Sequence, residues 1–300
     1  MEQRRNILKA LAGSALAGGA SALAPGAWAQ AAGFRSSRIV VETRGAGPDL
    51  ILVPGLASTA AVWRGTADRL AGRRRLHLVS VRGFGDLAPG ANAQGAVIGS
   101  VAGEIRRYVA EAELERPALI GHSMGGQLAL RVAADAPSRI DRLMTVDASP
   151  FFPALVSPGA TVGDIEPIAQ VAYQAVQFLG DDALQARGRN VGLELGGAAD
   201  AMFNAVGWQG GDRQVLAQAL YEVMTIDLRH RLPDITAPVT VVYGWSSDKN
   251  SPRSRADSLF RGAYASLPRP ATFERIEGAE HMVMIDQPTR FMAAVNRFLD

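Results

Sequence analysis

The sequence predicts an α/β fold, a mostly parallel central sheet flanked by helices, with a helical cap inserted before the strand at Val239. Three observations carry that expectation. Apolar runs of strand length alternate with segments of helical period along most of the 300 residues. Several runs, such as Leu50-Ile51-Leu52-Val53 and Val239-Thr240-Val241-Val242-Tyr243, are nearly continuous in branched apolar residues, as strands buried on both faces require. Residues 150–232 break the alternation, offering helical patches but no convincing strand.

Taken in order, the chain opens on a segment that reads as an address. Arg4 and Arg5 are followed by Asn6-Ile7-Leu8-Lys9, an apolar run of small residues from Ala10 to Leu23, and Pro25-Gly26-Ala27-Trp28-Ala29. This resembles a bacterial twin-arginine export signal with an Ala27-x-Ala29 cleavage pattern and Gln30 as the first mature residue. The run is short and rich in Gly and Ala for a hydrocarbon layer of ~30 Å, which disfavours a retained anchor. Residues 1–29 are therefore expected to be removed, leaving a periplasmic or secreted protein without membrane contact. The leader holds Arg4, Arg5 and Lys9 against Glu2, which accounts for the whole formal charge of +2.

Strands are expected at 38–43, 50–53, 76–81, 118–120, 143–146, 239–243 and 272–276. The first two flank Gly45-Ala46-Gly47-Pro48, a hairpin-like turn, so the sheet is expected to open antiparallel. Helices are expected at 59–70, 97–112, 125–136, 253–264 and 289–299, and patches at 168–179 and 213–224 within the insertion. The organisation that follows is a core of residues 30–149 and 233–300, with 150–232 as a cap over the C-terminal edge of the sheet.

Composition narrows the function classes. Hydrophobic residues make up 48%, enough for a large core, and no Lys/Arg block marks a nucleic-acid surface. The absence of cysteine excludes disulfides, thiolate metal sites and a Cys nucleophile. No His/Asp/Glu cluster has metal-ligand spacing and there is no P-loop. Gly83-Phe84-Gly85-Asp86-Leu87-Ala88 fits a dinucleotide fingerprint, but Pro89-Gly90 follows where a helix must begin, so it reads as a turn. Neither a cofactor nor a metal is expected.

The segment richest in chemistry is Leu119-Ile120-Gly121-His122-Ser123-Met124-Gly125-Gly126-Gln127-Leu128. An apolar strand runs into Gly-x-Ser-x-Gly-Gly and a helix follows at once. A Ser on so sharp a strand-to-helix turn has a strained backbone, so the residues two before and two after must be small, as Gly121 and Gly125 are. The turn presents the hydroxyl beyond the sheet edge, and the helix N-terminus faces developing negative charge. Ser123 is the expected nucleophile.

With Leu52-Val53-Pro54-Gly55-Leu56, Trp63, Val81-Arg82-Gly83-Phe84-Gly85 and Gly278-Ala279-Glu280-His281, the chain resembles the α/β-hydrolase superfamily over about residues 38 to 299. That resemblance implies the α/β-hydrolase fold and a Ser-acid-His triad. Of four histidines, His77 reads as a core residue, His230 as a solvated helix end, and His122 as adjacent to the nucleophile but aimed elsewhere. His281 follows the last strand, where this fold delivers its base. For the acid, Asp248 is favoured because it lies just past the strand ending Tyr243-Gly244. Asp147, ending Leu143-Met144-Thr145-Val146, is the competitor, since neighbouring strand ends lie only ~5 Å apart. Asp86 and Asp286 are weaker. The oxyanion hole is expected from the backbone N–H groups of Leu56 and Met124. Many relatives have His-Gly where this chain has Pro54-Gly55, yet the required donor lies further along. Phe151, Phe152, Trp208 and Met282 either line a pocket or pack the core.

The activity this implies is ester cleavage of a small molecule through an acyl-enzyme. Lactonase, C–C bond hydrolase, amidase and cofactor-free peroxidase chemistry use the same triad, and a binding protein that kept only the fold is the alternative from another class.

Overall fold

In the computed structural model, which describes residues 29–31, 33–190, 209–247 and 252–300, the described residues form eight strands. These are β1 (Ala29–Gln30), β2 (Ile39–Arg44), β3 (Asp49–Val53), β4 (Arg75–Val81), β5 (Ala118–His122), β6 (Leu143–Val146), β7 (Val239–Trp245) and β8 (Thr272–Glu277). They make one sheet in the order β1-β2-β4-β3-β5-β6-β7-β8, parallel except where β1 and β2 run antiparallel to their neighbours.

The apolar runs are continuous because each face of the sheet is covered. Leu50 and Leu52 of β3 pack with Trp63, Leu70, Phe291 and Val295, from α1 (Arg64–Leu70), the turn before it and the C-terminal helix at Pro288–Leu299. Ile51 and Val53 point the other way, into a core with Ile105 of α2 (Ile98–Glu111) and Met124 and Leu128 of α3 (Met124–Asp135). The same side receives Phe260 of the helix at Arg253–Ala263. With period-2 side chains, only residues apolar at every position satisfy both layers.

The turn at Gly45-Ala46-Gly47-Pro48 corrects one expectation. The sheet does open antiparallel, but β2 pairs with β4 (Ile39 opposite Val81, Arg44 opposite Leu76), and β4 separates it from β3. The turn is a crossing under the loop that feeds β4. A Cβ at Gly45 (φ +85°) would meet the Arg74 carbonyl at 2.4 Å, and one at Gly47 (φ +112°) the Arg73 carbonyl at 2.8 Å. The glycines permit that passage as well as the left-handed φ. Strand β1 was not anticipated; it pairs Ala29 with Thr43 and Gln30 with Glu42, so the expected cleavage junction falls inside it. The rest of the leader lies outside the described residues.

Between β6 and β7 the described residues form helices joined by loops, with one isolated bridge from Gly211 to Phe84. α4 (Val162–Asn190) runs beyond the expected patch at both ends, and α5 (Arg213–Thr225) packs on it. The start of α4 follows a reciprocal Thr161–Asp164 cap, with Asp164 accepting from Thr161 N and Thr161 Oγ1 from Asp164 N. The buried carboxylate of Glu222 on α5 accepts from Val97 N at 2.8 Å and Ile98 N at 2.7 Å, ending the orphan donors at the start of α2. Completing the elements are α6 (Arg253–Ala263), α7 (Val283–Asp286) and α8 (Pro288–Leu299). Among the described residues no helix is long and apolar enough to cross a membrane.

Candidate active site

Ser123 stands between β5 and α3 with φ +52° and ψ −121°, a conformation that L-residues rarely adopt. Its neighbours hold it there. Ser123 N donates to Val146 O at 2.9 Å, extending the β5–β6 ladder by one residue, and Ser123 O accepts from Gly126 N at 2.8 Å. Both expected glycines are required by contact. A Cβ at Gly121 would lie 2.1 Å from Gly125 O, and one at Gly125 would lie 2.4 Å from Val53 O and 2.5 Å from Pro54 O.

His281 follows β8 after Gly278 (φ +77°). Its Nδ1 lies 2.7 Å from Asp147 Oδ2, with both side chains largely shielded from solvent. Asp147 is the residue after β6. Its N–H donates to Val242 O at 2.8 Å, its φ is +45°, and its Oδ1 accepts from Gly244 N at 3.1 Å. Gly244 also admits the histidine loop, since a Cβ there would meet Glu280 O at 2.1 Å. Asp286, a discounted acid, instead accepts from Glu280 N at 2.8 Å and shapes this loop. Behind Asp147, the buried Tyr264 hydroxyl donates to Ala148 O and accepts from Thr145 Oγ1, each at 2.9 Å. Burial raises the Tyr264 pKa, so it stays a neutral strut. Asp248, the acid favoured by sequence, lies outside the described residues, as does Trp208. Among the described residues the carboxylate brought to His281 is that of Asp147.

His122 is more involved than its sequence position suggested. Its Nε2–H donates to the His281 carbonyl at 2.9 Å, and the two rings lie 4.6 Å apart between centroids. Burial, then the nearby His281, pushes its pKa down to about 3, which keeps the ring neutral. A Cβ at Gly55 would stand 2.9 Å from His122 Nδ1 and 3.1 Å from Ser123 Cβ, so the backbone just before Leu56 runs directly against the nucleophile. Met124 opens α3, so its N–H has no helical acceptor. Neither that N–H nor that of Leu56 meets an acceptor among the described residues. With Nδ1 on Asp147, Nε2 of His281 carries the lone pair; it is buried, has no hydrogen-bond partner among the described residues, and belongs to a ring packed beside the residue preceding Ser123.

Other expectations resolve into packing. His77 is a core histidine at the opposite edge of the sheet, with Nδ1 2.6 Å from Tyr108 Oη and Nε2 2.9 Å from Asp49 Oδ1. Phe151 is buried with Ala154 and Ala160, and Met282 packs in the core beneath α8. Among the described residues no group of three His, Asp or Glu side chains is placed to hold a metal ion. The Gly83–Ala88 segment is a turn, as expected, but it also receives the cap: Gly85 N donates to Gly210 O at 2.9 Å and Asp212 N to Gly83 O at 2.8 Å.

A serine on a strained, glycine-flanked turn, with an Asp-held histidine and free amides around it, defines a class of protein. The family model described as "Alpha/beta hydrolase family" matches residues 50–295, and the chain belongs to that family. Within it, the chain is 30% identical over 284 residues to a pimeloyl-[acyl-carrier protein] methyl ester esterase of Aeromonas hydrophila subsp. hydrophila, covering 87% of this chain and 99% of the relative. The enzyme of that name from Pectobacterium carotovorum subsp. carotovorum is 31% identical, covering 86% and 96%. An esterase from Exiguobacterium antarcticum shares the fold at a TM-score of 0.63 and 20% identity, over 91% of this chain and 99% of that one.

Proposed function

We propose that Ser123, His281 and Asp147 form the triad of a serine esterase, with Leu56 and Met124 N–H as its oxyanion hole. The observation that carries the reading is the 2.7 Å bond from His281 Nδ1 to Asp147, on an imidazole whose Nε2 has no partner among the described residues. Asp147 fixes the tautomer, so Nε2 takes the Ser123 proton as the hydroxyl oxygen attacks the ester carbonyl. The tetrahedral oxyanion is stabilised by the two amides, and its collapse expels the alcohol with the proton returned from His281. Water then repeats the sequence on the acyl-enzyme and releases the acid. The chain is an esterase of the alpha/beta hydrolase family, and its relatives' names make methyl esters, that of a pimeloyl-[acyl-carrier protein] among them, the first substrates to test.

A fluorophosphonate probe tests the nucleophile. Labelling of the wild-type protein, lost in Ser123→Ala together with release of methanol from methyl esters, is the expected result. Labelling at another residue, or hydrolysis that survives the substitution, would remove the reading. We also propose, on Arg4, Arg5 and Ala27-x-Ala29 alone, that residues 1–29 direct export.

A further inference from the structure

The strap that returns from the cap to the core, residues 209–212, lies against the loop that carries Leu56. Gln209 N donates to Ala57 O at 2.8 Å, and Gln209 Oε1 accepts from Thr59 N at 3.2 Å and from Thr59 Oγ1 at 2.8 Å. Three bonds from one residue thus brace the loop at Ala57 and Thr59, one and three positions after the oxyanion donor Leu56. Ala57 is fully buried and held at φ +55°, a left-handed conformation that a non-glycine residue keeps only where the surroundings enforce it. Inside the loop the turn is closed by Ser58 N donating to Gly55 O at 3.3 Å and Ser58 Oγ to Leu56 O at 3.4 Å, and the Gln209 bonds hold it from outside. The strap is fastened on its other side too. Gly210 O and Asp212 N bond Gly85 N and Gly83 O, and a Cβ at Gly211 would lie 2.2 Å from Gly83 O. Asp212 then caps α5 by accepting from Gln214 N and Val215 N.

We propose that Gln209 is a positioning residue: a cap side chain that sets the Leu56 N–H at the oxyanion site, so that catalysis depends on the strap being seated. This rests on the serine-esterase reading of the site. Gln209 is exposed and touches no reacting atom, so its effect passes through Ala57 and Thr59. Both side-chain bonds use the Gln209 oxygen as acceptor. A carboxylate therefore serves as well as the amide, whereas a side chain of equal length with no acceptor does not.

The test compares Gln209→Met, Gln209→Glu and Thr59→Val on a soluble short-chain chromogenic ester. Active sites are counted by fluorophosphonate titration, and affinity is measured for an alkyl boronic acid, whose tetrahedral adduct places an oxygen in the oxyanion site. Gln209→Met and Thr59→Val should lower kcat by ten- to hundred-fold with KM within two-fold, and weaken the boronate by a similar factor. That is less than the ~10²–10³ lost when a donor is removed outright. Gln209→Glu should stay within about three-fold of wild type. The proposal is overturned if Gln209→Met turns over at the wild-type rate, if Gln209→Glu is as slow as Gln209→Met, or if KM rises while kcat holds. Ser123→Ala, run alongside, separates the two levels. Residual turnover in that variant sinks the esterase reading, whereas a silent Ser123→Ala beside a fully active Gln209→Met sinks only the role of Gln209.

Discussion

Replacing Asp147 by Asn keeps the side chain's size but removes the charge that balances an imidazolium at His281, and lets the amide present a donor to Nδ1. Turnover should fall by ~10³–10⁴ with little change in thermal stability, while Asp248→Asn should stay within a few-fold of wild type. Steady-state kinetics of the two variants on one ester decides between them, and the opposite ranking would return the acid to residue 248. His122 yields a second prediction at this scale. Its pKa in the folded protein, about 3, lies far below the ordinary 6.5, so acid protonates the unfolded chain first. Its contribution to stability is complete above about pH 6.5 and is lost as pH falls toward 3. Urea unfolding at pH 7, 5.5 and 4.5 should therefore show a steeper loss for wild type than for His122→Phe, and parallel curves would contradict the assignment. Both residues show where sequence reading stops. Asp147 and Asp248 end or follow adjacent strands, β6 and β7, and no local pattern says which carboxylate faces the histidine; the approach of Asp147 to His281 depends on backbone details such as its φ of +45°. His122 adjoins the nucleophile in sequence and reads as aimed elsewhere, because its contact with residue 281 spans 159 positions and leaves no local pattern.

At the scale of elements, the nucleophile turn was legible because its chemistry is local: strand, bend and helix lie within a dozen residues, and the steric demand falls on Gly121 and Gly125 themselves. Gly125→Ala should expose that demand. The added Cβ meets the Val53 and Pro54 carbonyls, backbone atoms that can yield only by moving the loop that bears Leu56. The expected outcome is a loss of about 3 kcal/mol or more in chemical denaturation and a collapse of the fluorophosphonate-reactive fraction; a fully active, equally stable variant would show that the loop is free to shift. The long-range joints were not legible. The turn at Gly45–Pro48 has the composition of a hairpin, yet what separates β2 from β3 is the arrival of β4, a non-local pairing. Likewise the Gln209–Thr59 bond closes 150 positions, and neither residue type announces a partner.

Seen whole, the sheet, its two covering layers and the helical insertion were readable because burial on both faces leaves an apolar record in every strand. Strand β1 was not, since it has only two residues, Ala29 and Gln30, and lies where the leader was expected to end. If export and cleavage occur after Ala29, intact-mass measurement and N-terminal sequencing of protein recovered from the bacterial periplasm will give a chain beginning at Gln30. That chain would keep the Gln30–Glu42 pair, lose the Ala29–Thr43 pair, and melt within a few degrees of the full chain. A start at Met1 would refute removal of the leader.

Glu222 ties these scales together. Its carboxylate belongs to the cap, but the two amides that it receives belong to the core helix beginning at Ile98. Glu222→Ala should cost about 1.5–3 kcal/mol in denaturant unfolding, because two buried donors lose a charged acceptor. The insertion is accordingly no interchangeable module: a chimera that imports a foreign cap to alter substrate range must bring an acid at the matching height of its second helix, or the transplant will weaken the scaffold that it is meant only to decorate.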